Sequence, residues 1–210
     1  MKTQFLNRTL QAVLSLFVAA VLFSGCTKDD DTYTSGVNND EGSNSALNET
    51  LSAQEMDGMM YMVENEKLLR DYFTVMNDKF NLPVFANIAL SEQRHLSQLS
   101  VKFDRYELEN PADAKGKGEF VNPDLQQIYN DLVAHGSSSI YAALSAGIGK
   151  VEKDIEDLST FISQLEGNQD IEQIYSNILV ESQSNLAALV AEMKAVTILS
   201  SRPEAPTADF

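Results

Sequence analysis

The feature that most constrains the fold is a helical repeat of apolar residues between about residues 51 and 200. In its first stretch the apolar positions are Met59, Met62, Leu69, Phe73, Met76 and Phe80. Spacings of three, four and seven place such side chains on one face of an α-helix. No segment shows the sustained alternation of apolar and polar residues that a half-buried strand requires. The sequence therefore predicts an all-α protein.

Capping and helix-breaking residues divide this region into four long helices and a short one. The first helix is predicted to begin at Ser52, where Glu55 completes a capping box, and to end at Leu82-Pro83. Gly167-Asn168 is predicted to stop the third long helix. The other predicted helices cover about residues 84–106, 123–134, 140–165 and 170–199. Four long amphipathic helices with an extra short one predict a four-helix bundle over residues 51–200.

The first 50 residues have a different character. Residues 12–23 are too short an apolar run to span ~30 Å of hydrocarbon, but they suit the core of a signal peptide. The sequence Leu-Phe-Ser-Gly before Cys26 resembles a bacterial lipobox, in which cleavage leaves a lipid-carrying cysteine at the new N-terminus. We therefore expect a lipoprotein signal peptide (1–25), a lipidated Cys26 with a flexible acidic linker (26–50), and a disordered tail (201–210). A plain secretory signal that ends near a cysteine is the alternative.

Charge and cysteine content limit the partners. The acidic residues 29–31 are similar to the surface-export signal of some Gram-negative lipoproteins, so we expect a lipid anchor in the outer membrane or at the cell surface. The chain beyond residue 25 holds 13 basic and 31 acidic residues, and this charge opposes binding to nucleic acid. One cysteine excludes an intrachain disulfide and cysteine-rich metal sites. No protein partner is indicated, and a homo-oligomer remains open.

Ionisable side chains interrupt the apolar faces at four positions. Glu66 lies within the apolar face of the first helix. Glu92 and His95 form the pattern E-x-x-H, so they share one face of one turn of the second helix. Glu152 lies at the edge of the apolar face of the third long helix.

Two interpretations of these four side chains are open. Burying unpaired carboxylates costs free energy, so the side chains need partners or a metal ion. Carboxylates and an imidazole that meet inside a helical bundle form the shell that suits iron or manganese, and the first interpretation is such a site. In the second there is no metal: Glu66 pairs with Arg70, Glu152 is solvated beside Lys153, and His95 is a hydrogen-bonded core residue.

Several segments resemble a ferritin-like family of uncharacterised bacterial and archaeal proteins. Residues 64–71 are similar to its E-E-E-K-L-A-R-D signature, and residues 85–95 to its F-x-N-I-x-x-S-E-Q-R-H motif. Residues 132–136, 143–147 and 151–158 follow its later motifs, and the resemblance covers about residues 51–199. The family has no settled activity. The resemblance implies a ferritin-like fold with a carboxylate-bridged pair of iron or manganese ions.

The sequence departs from this family at two positions. Asn185 stands where the family pattern S-x-x-H-L has histidine, and Asn65 replaces a family glutamate. A neutral amide binds transition metals less well than imidazole, so the site is either weak or a relic. Glu181, about one turn away, and Glu64, in the first signature, are secondary candidate ligands. The expected function is therefore metal binding or oxygen and peroxide chemistry in a membrane-anchored protein; the alternative is a metal-free interaction module of the cell envelope.

Overall fold

The computed structural model describes residues 50–201. These residues form five helices and no strand, so the all-α prediction is confirmed for them. The predicted signal peptide, Cys26, the linker up to residue 49 and the tail from residue 202 lie outside the described residues. The helices are α1 (Ala53–Phe80), α2 (Pro83–Arg105), α3 (Pro123–Gly136), α4 (Ile140–Gln164) and α5 (Gln169–Ser200).

Side-chain caps mark the starts of four of the five helices within residues 50–201. The Ser52 hydroxyl accepts a hydrogen bond from the backbone N–H of Glu55 at 3.2 Å, and the Glu55 carboxylate accepts one from the N–H of Ser52 at 2.8 Å. This is the predicted capping box. Gly167 has a left-handed φ of 94°, while Asn168 caps the start of α5. The pair Gly167-Asn168 therefore also begins the next helix, rather than acting only as a stop.

The helices pack as two consecutive pairs joined across their faces. α1 packs on α2 and α4 packs on α5, while α1 also contacts α4 and α2 contacts α5. The short helix α3 packs against α1 and α4. Two clusters of buried apolar side chains result. The first includes Leu69, Phe73, Ile88, Leu144, Val151 and Leu189. The second includes Met62, Val63, Leu96, Leu158, Ile171 and Ile178.

Two glycines let α3 and α4 approach α1 closely. A Cβ atom at Gly136 would lie 2.5 Å from the hydroxyl of Tyr72, and one at Gly147 would lie 2.8 Å from the ring of Phe73. The Tyr72 hydroxyl is held in place because it donates a hydrogen bond to the carbonyl of Ala143 at 2.7 Å. Glycine at these two positions thus permits contacts that any larger residue would obstruct.

Side chains of α1 form hydrogen bonds with the connection between α2 and α3. The buried Lys67 ammonium donates hydrogen bonds to the carbonyls of Gly116 at 2.6 Å and Glu119 at 3.0 Å. The Asp71 carboxylate lies 2.9 Å from that ammonium and accepts a hydrogen bond from the N–H of Gly118 at 2.8 Å. Two side chains of the segment 64–71 therefore fix a connection that lacks regular secondary structure.

Candidate metal centre

Polar side chains on four helices meet at one level, between the two apolar clusters. On α1, Glu66 follows Val63 of the second cluster and precedes Leu69 of the first. On α4, Asp154 lies between Val151 of the first cluster and Leu158 of the second. We call this set the polar layer; it comprises Asn65, Glu66, Glu92, His95, Lys150, Asp154, Glu181, Ser182 and Asn185.

The centre of the polar layer is the imidazole of His95, which lies between two carboxylates. Its Nδ1 atom is 2.9 Å from Glu66 Oε2 and 2.8 Å from Glu92 Oε2. All three side chains are fully buried. One ligand atom from each lies within 4.8 Å of the others, so the three groups have the spacing of a common ion site. The structure thus brings together three of the four side chains that the sequence predicts as ligands.

The opposite nitrogen of His95 faces Glu181. The Nε2 atom lies 3.3 Å from Glu181 Oε2, and that oxygen also accepts hydrogen bonds from Ser91 at 3.2 Å and Arg94 at 3.3 Å. A carboxylate at the second nitrogen fixes the orientation and tautomer of a metal-binding histidine. The position of Glu181 suits this orienting role, rather than the role of a ligand that replaces a missing histidine.

Asn185 contacts the same cluster from α5. Its side-chain amide donates a hydrogen bond to Glu92 Oε1 at 3.0 Å, while Glu92 Oε2 faces His95. Asn185, which stands where the family pattern has histidine, therefore forms a hydrogen bond with the candidate ligand Glu92. It leaves one oxygen of Glu92 directed at the imidazole.

One oxygen of Glu66 has no hydrogen-bond partner. Glu66 Oε1 is buried and makes no hydrogen bond within residues 50–201, whereas Oε2 faces His95. An unsatisfied buried carboxylate oxygen is costly and uncommon, and coordination to an ion would satisfy it. This oxygen is therefore available to an ion at the cluster.

Burial and charge shift the pKa values of this cluster. Burial and the neighbouring Glu92 carboxylate raise the pKa of Glu66 to about 8, although His95 opposes the shift. Burial by itself lowers the pKa of His95, but hydrogen bonds and charges from Glu66 and Glu92 outweigh it and raise this pKa to about 11. Both shifts favour the protonated forms of the imidazole and of Glu66 in the metal-free cluster. A divalent ion bound to both groups would displace these protons.

A second hydrogen-bonded group adjoins the first. Asp154 is fully buried, and its carboxylate accepts hydrogen bonds from the Asn65 amide at 2.6 Å and the Ser182 hydroxyl at 3.0 Å. The buried Lys150 ammonium donates a hydrogen bond to Asn65 Oδ1. Burial lowers the pKa of Lys150, while burial and the charge of Glu66 raise that of Asp154. The sequence analysis missed this group because lysine and aspartate on a helix are usually solvated.

Two predicted candidates lie outside the cluster. Glu152 is exposed, because the buried line of α4 runs through Gly147, Val151, Asp154 and Leu158 and leaves residue 152 on the outer flank. The prediction that α4 contributes Glu152 to a buried site is therefore corrected, and Asp154 is the acidic residue that α4 buries. The Glu64 carboxylate instead accepts hydrogen bonds from the N–H groups of Val121 at 2.5 Å and Asn122 at 2.9 Å, just before α3.

Comparisons with known proteins identify a family and two solved structures of similar fold. An uncharacterized protein from Methanocaldococcus jannaschii, MJ0754, is 34% identical over 140 residues, which are 67% of this chain and 75% of that protein. The crystal structure of MJ0754 matches with a TM-score of 0.68 at 32% identity, covering 70% of this chain and 83% of that one. A DUF305 fragment from Deinococcus radiodurans shares the fold alone, with a TM-score of 0.54 at 14% identity, over 69% of this chain and 97% of that one. Since the model of the uncharacterized protein domain DUF2202 matches residues 55–198, the chain belongs to the DUF2202 family.

Proposed function

We propose that this protein is a ferritin-like four-helix bundle that binds iron or manganese through Glu66, Glu92 and His95. The observation that carries the proposal is the unpartnered buried oxygen of Glu66 beside a carboxylate and an imidazole. Coordination to an ion would satisfy that oxygen.

The spacing of the cluster supports this assignment. Ligands about 2.1 Å from one ion and at right angles to each other lie about 3.0 Å apart. The distances of 2.9 and 2.8 Å from His95 Nδ1 to Glu66 and Glu92 are close to that value. A buried imidazole with two carboxylates is also a donor set that iron and manganese accept.

The surrounding residues have separable roles in this proposal. Glu181 holds the Nε2 side of His95, so that Nδ1 faces the two carboxylates. Asn185 holds the far oxygen of Glu92. The apolar clusters on either side of the polar layer exclude water from the centre. A bound iron or manganese ion would supply reactivity toward oxygen or peroxide.

The lipid anchor at Cys26 is the second part of the proposal, and it rests on the sequence. A lipidated Cys26 after the apolar run at residues 12–23 would hold the folded domain at the cell envelope, beyond a linker. Within residues 50–201, no helix is both long enough and apolar enough to cross a membrane.

Metal binding is tested on the full-length chain purified without chelator. We expect it to contain iron or manganese and to bind Mn²⁺ after removal of that metal, as followed by calorimetry and elemental analysis. Glu66→Gln removes a ligand charge but keeps the size of the side chain, so it should weaken Mn²⁺ binding by about tenfold or more. Glu152→Gln is the matched control and should bind as the parent does, because Glu152 is exposed.

Two results would contradict the proposal. One is a parent protein that contains neither metal and binds no added Mn²⁺. The other is equal Mn²⁺ affinity in the Glu66→Gln and Glu152→Gln proteins. Either result favours the alternative, a metal-free interaction module whose buried glutamates and histidine only form hydrogen bonds.

A further inference from the structure

The two helix pairs contribute to the polar layer in the same pattern but with different chemistry. In the first pair, α1 supplies the carboxylate of Glu66, and α2 supplies Glu92 and His95, three residues apart. In the second pair, α4 supplies the carboxylate of Asp154, and α5 supplies Ser182 and Asn185, also three residues apart. The second pair also supplies Glu181, but that carboxylate faces His95 Nε2. The second half is therefore left with one carboxylate and no imidazole, and it is a poor donor set for a second transition-metal ion.

The half of the polar layer that α4 and α5 supply contains a buried cationic side chain, Lys150. Lys150 lies one turn before Asp154 on α4, and it is only 6% exposed. Its ammonium donates a hydrogen bond to Asn65 Oδ1, and the amide of Asn65 donates in turn to Asp154 at 2.6 Å. One amide thus links the ammonium to the carboxylate, and its neighbour in the sequence is the candidate ligand Glu66.

The charges facing Lys150 come from several elements. Asp154 and Asp157 are on the same helix, Glu66 is on α1 and Glu92 is on α2, and all of them attract the ammonium. A positive charge that faces these four carboxyl groups would offset negative charge in the part of the polar layer where a second ion would lie.

We infer that the Lys150 ammonium is the resident cation of the second half of the polar layer, so the chain binds one divalent ion instead of the pair expected of a ferritin-like site. This inference rests on the proposed function. It makes Lys150 a residue that lies in place of a second ion and limits the affinity of the single one.

The test is the number and affinity of Mn²⁺ ions bound by the full-length chain, measured by equilibrium dialysis with elemental analysis. The parent should bind one ion per chain. Lys150→Met removes one positive charge near the site, so it should bind that ion roughly tenfold more tightly or better. Lys153→Met is the matched control, since Lys153 lies on the same helix but is exposed, and its affinity should equal that of the parent.

A double variant covers the case in which Lys150→Met fails to fold, because that change alone leaves Asp154 buried without its cation. K150M/D154L removes both charges and replaces them with apolar side chains, a change that folded proteins tolerate. It should bind one ion with an affinity within about threefold of the parent, because the net charge near the site is unchanged.

The outcomes separate this inference from the proposed function. Two ions per parent chain would overturn the inference alone, whereas no bound ion would overturn the proposed function and the inference with it. Unchanged or weaker binding by folded Lys150→Met would overturn the inference, since a structural role alone predicts disruption instead of tighter binding. A fall in affinity of more than about tenfold in K150M/D154L would also overturn it.

Discussion

Replacing His95 with alanine should both destabilise the protein and abolish its response to metal. The imidazole is fully buried between Glu66 and Glu92, so its removal leaves two carboxyl groups facing a cavity. Breaking a buried ion pair costs about 3–5 kcal/mol. Protonation of Glu66 offsets part of this, so we expect the free energy of unfolding of metal-free His95→Ala to fall by about 3 kcal/mol. At about 2–4 °C per kcal/mol, its Tm should fall by roughly 6–12 °C.

Bound metal should increase the difference in stability between the parent and His95→Ala. At about a hundred times Kd, a bound ion adds about 2.7 kcal/mol to the stability of the parent. His95→Ala lacks one of the three proposed ligands, so it should gain little, and the difference in stability should roughly double. The assay is thermal unfolding followed by circular dichroism, in chelator and in excess Mn²⁺. His135→Ala, at the exposed end of α3, is the matched control and should follow the parent in both conditions.

Two results would refute this reasoning. If His95→Ala gained as much Tm from Mn²⁺ as the parent, His95 would not be a ligand. If the difference between the proteins were the same with and without Mn²⁺, the histidine would contribute only buried hydrogen bonds.

Three further predictions concern packing, pH and the anchor. Gly147→Ala should destabilise the protein by about 1–3 kcal/mol, because a Cβ there meets the ring of Phe73 on α1. Gly149→Ala should stabilise it by up to about 1 kcal/mol, because a Cβ there meets nothing within 4 Å. Equal effects of the two substitutions in urea denaturation would contradict this. The pKa of Glu66 is about 8 in the folded protein, against an ordinary value of 4.5, so between these pH values the folded protein retains a proton that the unfolded chain releases. In the absence of metal, the free energy of unfolding should therefore decrease as pH rises from about 4.5 to 8. Glu66→Gln should lose that component of the slope in urea titrations, and an identical slope in both proteins would refute the assignment. Cys26→Ser should release the protein from membranes or leave it unprocessed while the helices fold normally; normal cleavage with retention in the membrane fraction would exclude the lipid anchor.

The helices were predictable because their signals are local. Ser52 with Glu55, and Asn122 before Pro123, mark helix starts through bonds within three residues, and the structure contains both caps. The E-x-x-H pattern of Glu92 and His95 is also local, since three residues on a helix fix which side chains share a face.

The other residues of the site were not predictable in this way, because their burial depends on which face of each helix packs inward. On α4, the half-buried Ile148 and Ile155 pointed to a face that included Glu152, but the buried line is rotated toward Asp154. The burial of Lys150 follows from polar partners on other helices, and a single sequence does not show those contacts. Lys67 is a second case, since it is buried by carbonyl groups of a connection about 50 residues away.

The three candidate ligands have a consequence for the order in which the site assembles. Residues 66–95 span two consecutive helices whose connection is only Asn81 and Leu82, so bringing them together costs little chain entropy. We therefore expect pairing of α1 with α2 to unite Glu66, Glu92 and His95 before the two helix pairs dock on each other. We expect pulsed hydrogen exchange during refolding to show early protection in α1 and α2, more strongly when Mn²⁺ is present; simultaneous protection of all helices would contradict this order. Glu66, Glu92 and His95 would then come together before Lys150 reaches the polar layer. An ion bound at that stage would stabilise the pair of α1 and α2 early in folding.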